Sequence, residues 1–115
     1  MILVASITAL RGTSPNVSYA AGKAGVVNLA RHIAVHYGVN GVRANSISPG
    51  PLERTPDYEN HPDPKGREKE YLNKIPVGRL GTPEDIAPFI TFLATDEASF
   101  ASGANFVIDG GWTIA

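Results

Sequence analysis

A helical period that begins at Val17 and lasts to about Tyr37, set between short apolar runs at Met1 to Ala5 (MILVA) and Val42 to Ile47 (VRANSI), constrains this chain most. Strand, helix, strand in that order is a βαβ unit, whose crossover runs right-handed and whose strands lie parallel. The unbroken apolarity of MILVA suits a strand buried on both faces of a parallel sheet. It is too short to span a membrane and lacks the basic leader of a signal peptide. Val26, Ala30, Ile33 and Tyr37 make one stripe along the helix, widened by Val27, Leu29 and Ala34. Gly38 and Gly41 around Asn40 end it.

Three reactive side chains fall on this unit. Tyr19 and Lys23, at i and i+4, project from one helical face near its start, and Ser6 follows the first strand. A phenol that exchanges a proton near neutral pH starts from an unperturbed pKa of about 10 and needs a nearby cation to favour the phenolate. Lys23 is placed to supply it, and the helix N-terminus adds a small positive field. Open α/β sheets bind ligands at the carboxyl ends of their strands, where a Ser6 hydroxyl reaches a substrate oxygen. The Tyr-Lys spacing alone recurs by chance, so its setting carries the reading. The small residues Ala20, Ala21, Gly22, Ala24 and Gly25 permit close approach by the sheet, a cofactor or a partner helix.

The second strand ends in Ser48-Pro49-Gly50-Pro51, a loop opening on the same sheet edge. Pro fixes the backbone and Gly removes a side chain, so it either holds a flat ring or simply ends the strand. Glu53 to Glu70 is polar and proline-broken, a lid or a solvated loop. Asp57, Glu59, His61 and Asp63 recur at every second position, but Pro62 and Pro64 interrupt the strand that would align them; no metal site is expected. His32 and His36, at i and i+4, read as helix surface or a subunit contact. A short helix is expected over Gly66 to Asn73. Thr82, Pro83 and Asp85 make a near capping box for a helix running to about Ala94, and Asn105 to Ile108 (NFVI) reads as a third strand. Trp112 and Ile114 are expected to bury against something, such as another subunit.

Composition sets wide bounds. The 115 residues, 43% hydrophobic and 18% charged, fit one soluble globular unit. A formal charge of −1 and a pI near 6.3 argue against nucleic acid or membrane partners. The chain has 0 cysteines, which excludes disulfides and thiolate metal sites. Cytoplasmic localisation is the default expectation.

Taken together, Ser6 with Tyr19-x-x-x-Lys23, the stretch SISPGPL at Ser46 to Leu52, IPVGRLGTPEDIA at Ile75 to Ala87 and FLATDEASFASGANFVIDGG at Phe92 to Gly111 resemble the C-terminal half of a short-chain dehydrogenase/reductase. The resemblance implies an α/β fold, the C-terminal part of a doubly wound, Rossmann-like parallel sheet, in the order strand, helix, strand, lid helices, helix, strand. It implies one partial domain over 1–115, with a substrate loop or lid at about 51–81. Tyr19 would be the proton donor or acceptor, Lys23 would lower its pKa and bind the nicotinamide ribose, and Ser6 would hydrogen-bond the substrate. Pro49, Gly50 and Leu52 would line the nicotinamide. Thr55 stands one position later than the family's cofactor-contacting threonine, a place taken here by Arg54.

The implied reaction is hydride transfer between NAD or NADP and a small-molecule carbonyl/alcohol pair, in a homo-oligomer, dimer or tetramer. The family's glycine-rich phosphate loop precedes the region matched, so the N-terminal half of the cofactor site is expected to be absent and Met1 to Ala5 to present an open sheet edge. The alternative is a non-catalytic fragment or oligomerisation remnant unable to bind dinucleotide alone.

Overall fold

The structure, a computed structural model, describes residues 1–12, 14, 16–53, 55 and 59–115. Among them, β1 (Ile2–Val4), β2 (Asn45–Pro49) and β3 (Asn105–Ile108) form one 3-stranded parallel sheet in the order β1-β2-β3. The helices are α1 (Val17–Tyr37), α2 (Pro64–Leu72) and α3 (Pro83–Ala94). This is the expected α/β order.

The apolar face of β2 makes the core. Ile47 packs with Ile86 and Leu93 of α3 and with Ala98, and Ile2, Phe106 and Ile108 close around them. Side chains alternate along a strand, so Ser46 and Ser48 point to the opposite face. There both hydroxyls donate to Asn105 Oδ1 at 2.9 Å, which satisfies two polar groups that are fully buried. Asn45 is also buried; its Nδ2 donates to the Ala101 carbonyl at 2.7 Å and its Oδ1 accepts from Ala104 N–H at 3.0 Å.

Several expectations need correction. The first strand is not buried on both faces: Ile2 and Leu3 are half-buried and Val4 is 49% exposed. Among the described strands β1 lies at an edge, bonded only to β2, and an edge strand lacks neighbours to cover it. The second strand begins at Asn45 rather than Val42 and includes Ser48 and Pro49. The residues before it are recruited elsewhere: Arg43 donates to the carbonyls of Leu93, Thr95 and Ala101, capping the end of α3 with a cation.

The helix stripe is shorter than its periodicity suggests. Val27 and Ala30 are buried and Val26, Ile33 and Ala34 half-buried, but Leu29 and Tyr37 are exposed. At 21 residues α1 is about 30 Å long, whereas the 5 residues of β2 cover about 16 Å, so the helix overhangs the sheet. Ala21, Gly22, Ala24 and Gly25 are exposed, and Cβ atoms built on Gly22 and Gly25 would meet nothing within 4 Å; the close approach expected there is not made within the described residues. Helix α1 ends as expected, in a 3-10 turn at Gly38–Asn40 followed by Gly41 at φ 78.

Helix α2 starts earlier than expected because Asp63 caps it. Its carboxylate accepts Gly66 N–H at 3.0 Å, and Pro64 takes the first helical position. Asp63 and His61 serve that turn, His61 Nδ1 accepting from Asp63 N–H at 3.1 Å, while Asp57 lies outside the described residues. Helix α3 opens on the expected box, with the Asp85 carboxylate accepting from the Thr82 N–H and hydroxyl. His32 and His36 stand on the exposed surface with their rings 4.2 Å apart. Trp112 packs within the chain, against Tyr71, whereas Ile114 is 89% exposed and buries against none of the described residues.

Candidate active site

Strand β1 and helix α1 deliver the reactive trio. The Asn16 side chain accepts Tyr19 N–H at 2.9 Å, so Tyr19 sits in the capped first turn of α1 with its side chain 46% exposed. One turn on, Lys23 Nζ lies 5.6 Å from the centroid of the Tyr19 ring and donates to the Val4 carbonyl at 2.9 Å. That bond ties the lysine to the end of β1, just before Ser6. Ser6 caps the 3-10 turn Ile7–Ala9, its Oγ accepting Thr8 N–H at 3.2 Å. The turn packs against α1. The chain thus brings Lys23 onto Tyr19 and anchors both beside the segment bearing Ser6.

A second cluster forms where β2 and β3 end. Pro49 is the last residue of β2 and pairs with Ile108. Gly50 N–H donates to Ile108 O at 2.9 Å, and a Cβ on Gly50 would lie 2.7 Å from Asp109 Cα. The backbone contact with Asp109 therefore demands glycine here independently of any ligand. Leu52 pairs with Gly81 in an isolated parallel bridge: Gly81 N–H donates to Pro51 O at 3.0 Å and Glu53 N–H to Gly81 O at 2.9 Å. Thr55 Oγ1 turns back to Leu52 O at 3.4 Å. Arg54 lies outside the described residues.

Gly50, Pro51 and Leu52 line a cavity of about 210 Å³ together with Val77, Phe89 and Asp109. Neither Ser6, Tyr19 nor Lys23 lines it, so the structure leaves the trio and the proline-glycine loop as neighbouring but separate surfaces.

Sequence reading missed what holds this second cluster. Arg79 grips Asp85 through two hydrogen bonds of 2.7 Å, and the same carboxylate takes both Thr82 donors. The Arg79 guanidinium first, and then the Thr82 N–H, hold the Asp85 carboxyl well below the usual carboxylate range. Both residues stood in the quoted IPVGRLGTPEDIA stretch, but the pair spans a turn and follows no helical spacing. At Asp109, burial pushes the carboxyl up, and hydrogen bonds from Thr113 and Gly111 outweigh it and leave the group lowered.

A family model described as enoyl-(acyl carrier protein) reductase matches residues 1–113. The chain belongs to the short-chain dehydrogenase/reductase family. It is 46% identical over 96 residues to the Bacillus subtilis (strain 168) protein named probable 2,4-dienoyl-CoA reductase, covering 83% of this chain and 38% of that protein. Against L-rhamnose 1-dehydrogenase (NAD(P)(+)) of Azotobacter vinelandii it is 38% identical over 111 residues, 96% of this chain and 43% of that one. A solved structure of 4-hydroxyisoleucine dehydrogenase complexed with NADH superposes with a TM-score of 0.88 at 34% identity, over 99% of this chain and 46% of the other. The fold is the parallel-sheet, Rossmann-like α/β arrangement of these enzymes, and the chain spans less than half the length of each of these relatives. No helix among the described residues is long and apolar enough to cross a membrane.

Proposed function

We propose that this chain is the C-terminal part of an NAD(P)-dependent oxidoreductase that interconverts a carbonyl and an alcohol, with Tyr19 as general acid/base. One observation carries the reading: Lys23 Nζ is held between the Tyr19 ring and the Val4 carbonyl, beside the segment that presents Ser6. The same donor set, an ammonium and a phenol at the carboxyl edge of a parallel sheet, fits the nicotinamide-ribose end of a dinucleotide. Tyr19 and Lys23 would hold that end, with Pro49, Gly50, Leu52 and Thr55 on the neighbouring loop. When bound, the dinucleotide supplies or accepts the hydride.

The chain's own residues handle the proton. In the reducing direction Tyr19 Oη gives its proton to the substrate oxygen; in the oxidising direction it takes the alcohol proton. The Lys23 charge stabilises the negative charge left on Tyr19 Oη. The Ser6 hydroxyl fixes the substrate oxygen by donating a hydrogen bond while its oxygen keeps accepting Thr8 N–H. The segment at about 51–81 covers the substrate in a single partial domain over 1–115. Homo-oligomeric assembly and a cytoplasmic location belong to the same reading.

The test is Tyr19→Phe in the native protein that carries this sequence, assayed for NAD(P)H-linked turnover across a panel of ketones and alcohols. Loss of a general acid/base lowers kcat on the order of 10²–10⁴-fold, while dinucleotide binding, which Lys23 and the Pro49 to Leu52 loop also supply, is retained. Near-normal turnover in the variant refutes the assignment.

A further inference from the structure

The turn that follows β3 touches α2, the segment that leaves it and the end of the segment that carries Ser6. Asp109 builds the turn, accepting Gly111 N–H at 2.9 Å on one oxygen and Thr113 N–H at 2.8 Å on the other. Gly110 and Gly111 take left-handed φ of 64 and 90, where a side chain is strained, and added Cβ atoms would meet Ile75 Cγ2 at 2.7 Å and Pro76 Cγ at 3.0 Å. The turn therefore lies pressed against the segment that leaves α2, and Val77 N–H donates to Gly110 O at 3.2 Å.

Trp112 projects from this turn in two directions. Its ring packs on Tyr71, in the last turn of α2, with centroids 5.4 Å apart and planes tilted by 53°. Tyr71 is itself held on its helix, since Arg67 Nε donates to its hydroxyl at 2.6 Å and the guanidinium lies 5.2 Å from its ring centroid. On the backbone side, Arg11 Nη1 donates to the Trp112 carbonyl at 3.1 Å. Arg11 closes the short segment Ser6 to Arg11, which carries the 3-10 turn packed against α1.

We propose that Trp112 is a positioning residue that latches the lid helix α2 onto the sheet and couples its seating, through Arg11, to the segment that presents Ser6. The coupling to substrate rests on the oxidoreductase reading above; the latch does not. Trp112 touches no reacting atom in this scheme. With the ring in place, α2 is held through Tyr71 and the substrate-covering segment has one preferred position. Without it, α2, whose sequence is polar and which has no fully buried residue of its own, loses its aromatic tie to the turn after β3.

These 115 residues contain 1 tryptophan, so fluorescence reports on the latch once any tryptophan elsewhere in the native protein is replaced by phenylalanine. In the native protein that carries this sequence, Trp112→Leu should raise amide exchange across α2 at least tenfold while α3 exchanges as before, and Trp112→Phe should restore protection. Arg11→Gln, at an exposed side chain that presents little risk to folding, should leave α2 protected yet increase acrylamide quenching of Trp112 by about twofold. Unchanged α2 exchange in a folded Trp112→Leu protein overturns the latch, and unchanged quenching in Arg11→Gln overturns the coupling. On activity, Trp112→Leu should raise the substrate KM about tenfold with kcat within threefold, and Trp112→Phe should recover it; a fall in kcat alone overturns the positioning role. If the unaltered protein shows no turnover, the oxidoreductase reading fails, and the exchange experiment still decides the latch.

Discussion

Asn45→Ala should destabilise the protein by about 2–4 kcal/mol, and the structure says how that sum divides. Asn45 is 1% exposed and makes two hydrogen bonds, accepting Ala104 N–H at 3.0 Å and donating to Ala101 O at 2.7 Å. The two losses are unequal. Ala101 O keeps a bond from Arg43 at 3.2 Å, so it forfeits only the net value of one hydrogen bond, about 0.5–1.5 kcal/mol. Ala104 N–H has no such second partner among the hydrogen bonds described, and leaving it unpaired costs about 1–3 kcal/mol. Urea unfolding of the protein that carries this sequence measures the change, with the m-value held fixed as evidence that the denatured state is unaltered.

The shared carbonyl makes a sharper test. Combining Asn45→Ala with Arg43→Leu strips Ala101 O of both side-chain donors, so the double variant should lose more than the sum of the singles by at least about 0.5 kcal/mol. A loss below about 0.5 kcal/mol in Asn45→Ala would mean that Ala104 N–H finds water, and strict additivity would mean that the carbonyl is not shared.

Thr8 Oγ1 is buried without a hydrogen-bond partner, so Thr8→Val, nearly isosteric, should stabilise by about 1 kcal/mol in the same unfolding assay; a loss of stability would show that the hydroxyl is satisfied after all. The carboxyl of Asp85 is lowered in the folded protein, so its contribution is complete above the unfolded carboxylate pKa of about 3.9 and is lost as pH falls through the lower folded value. Asp85→Asn should accordingly flatten the decline in thermal stability between about pH 4 and pH 2, and an undiminished slope would assign the decline to other carboxylates. Gly50→Ala drives a methyl against the Asp109 backbone and should cost about 1–3 kcal/mol in urea while raising the KM for NAD(P)H; an unchanged KM with reduced stability would detach the loop from cofactor binding.

What was legible in the sequence was local. Helix α1 could be read from its period and its glycine stop, α3 from Thr82, Pro83 and Asp85, and β3 from a short apolar run, because propensity and capping act over a few residues. The pairing of Tyr19 with Lys23 was legible for the same reason, since helical geometry fixes which faces coincide.

Tertiary structure decided everything that depends on which segments meet. It turned Arg43 from an expected strand residue into the cap of α3 and left Val4 and Leu29 half exposed. It also set Trp112 against Tyr71 of α2. Strand burial depends on what covers the strand, and MILVA carries no record of its neighbours. Likewise Gly50 reads in sequence as room for a flat ring or as a strand end, and only the fold shows that it faces Asp109, more than fifty positions away in the chain. A residue's type states what it can tolerate; only the fold brings it to the group that demands it.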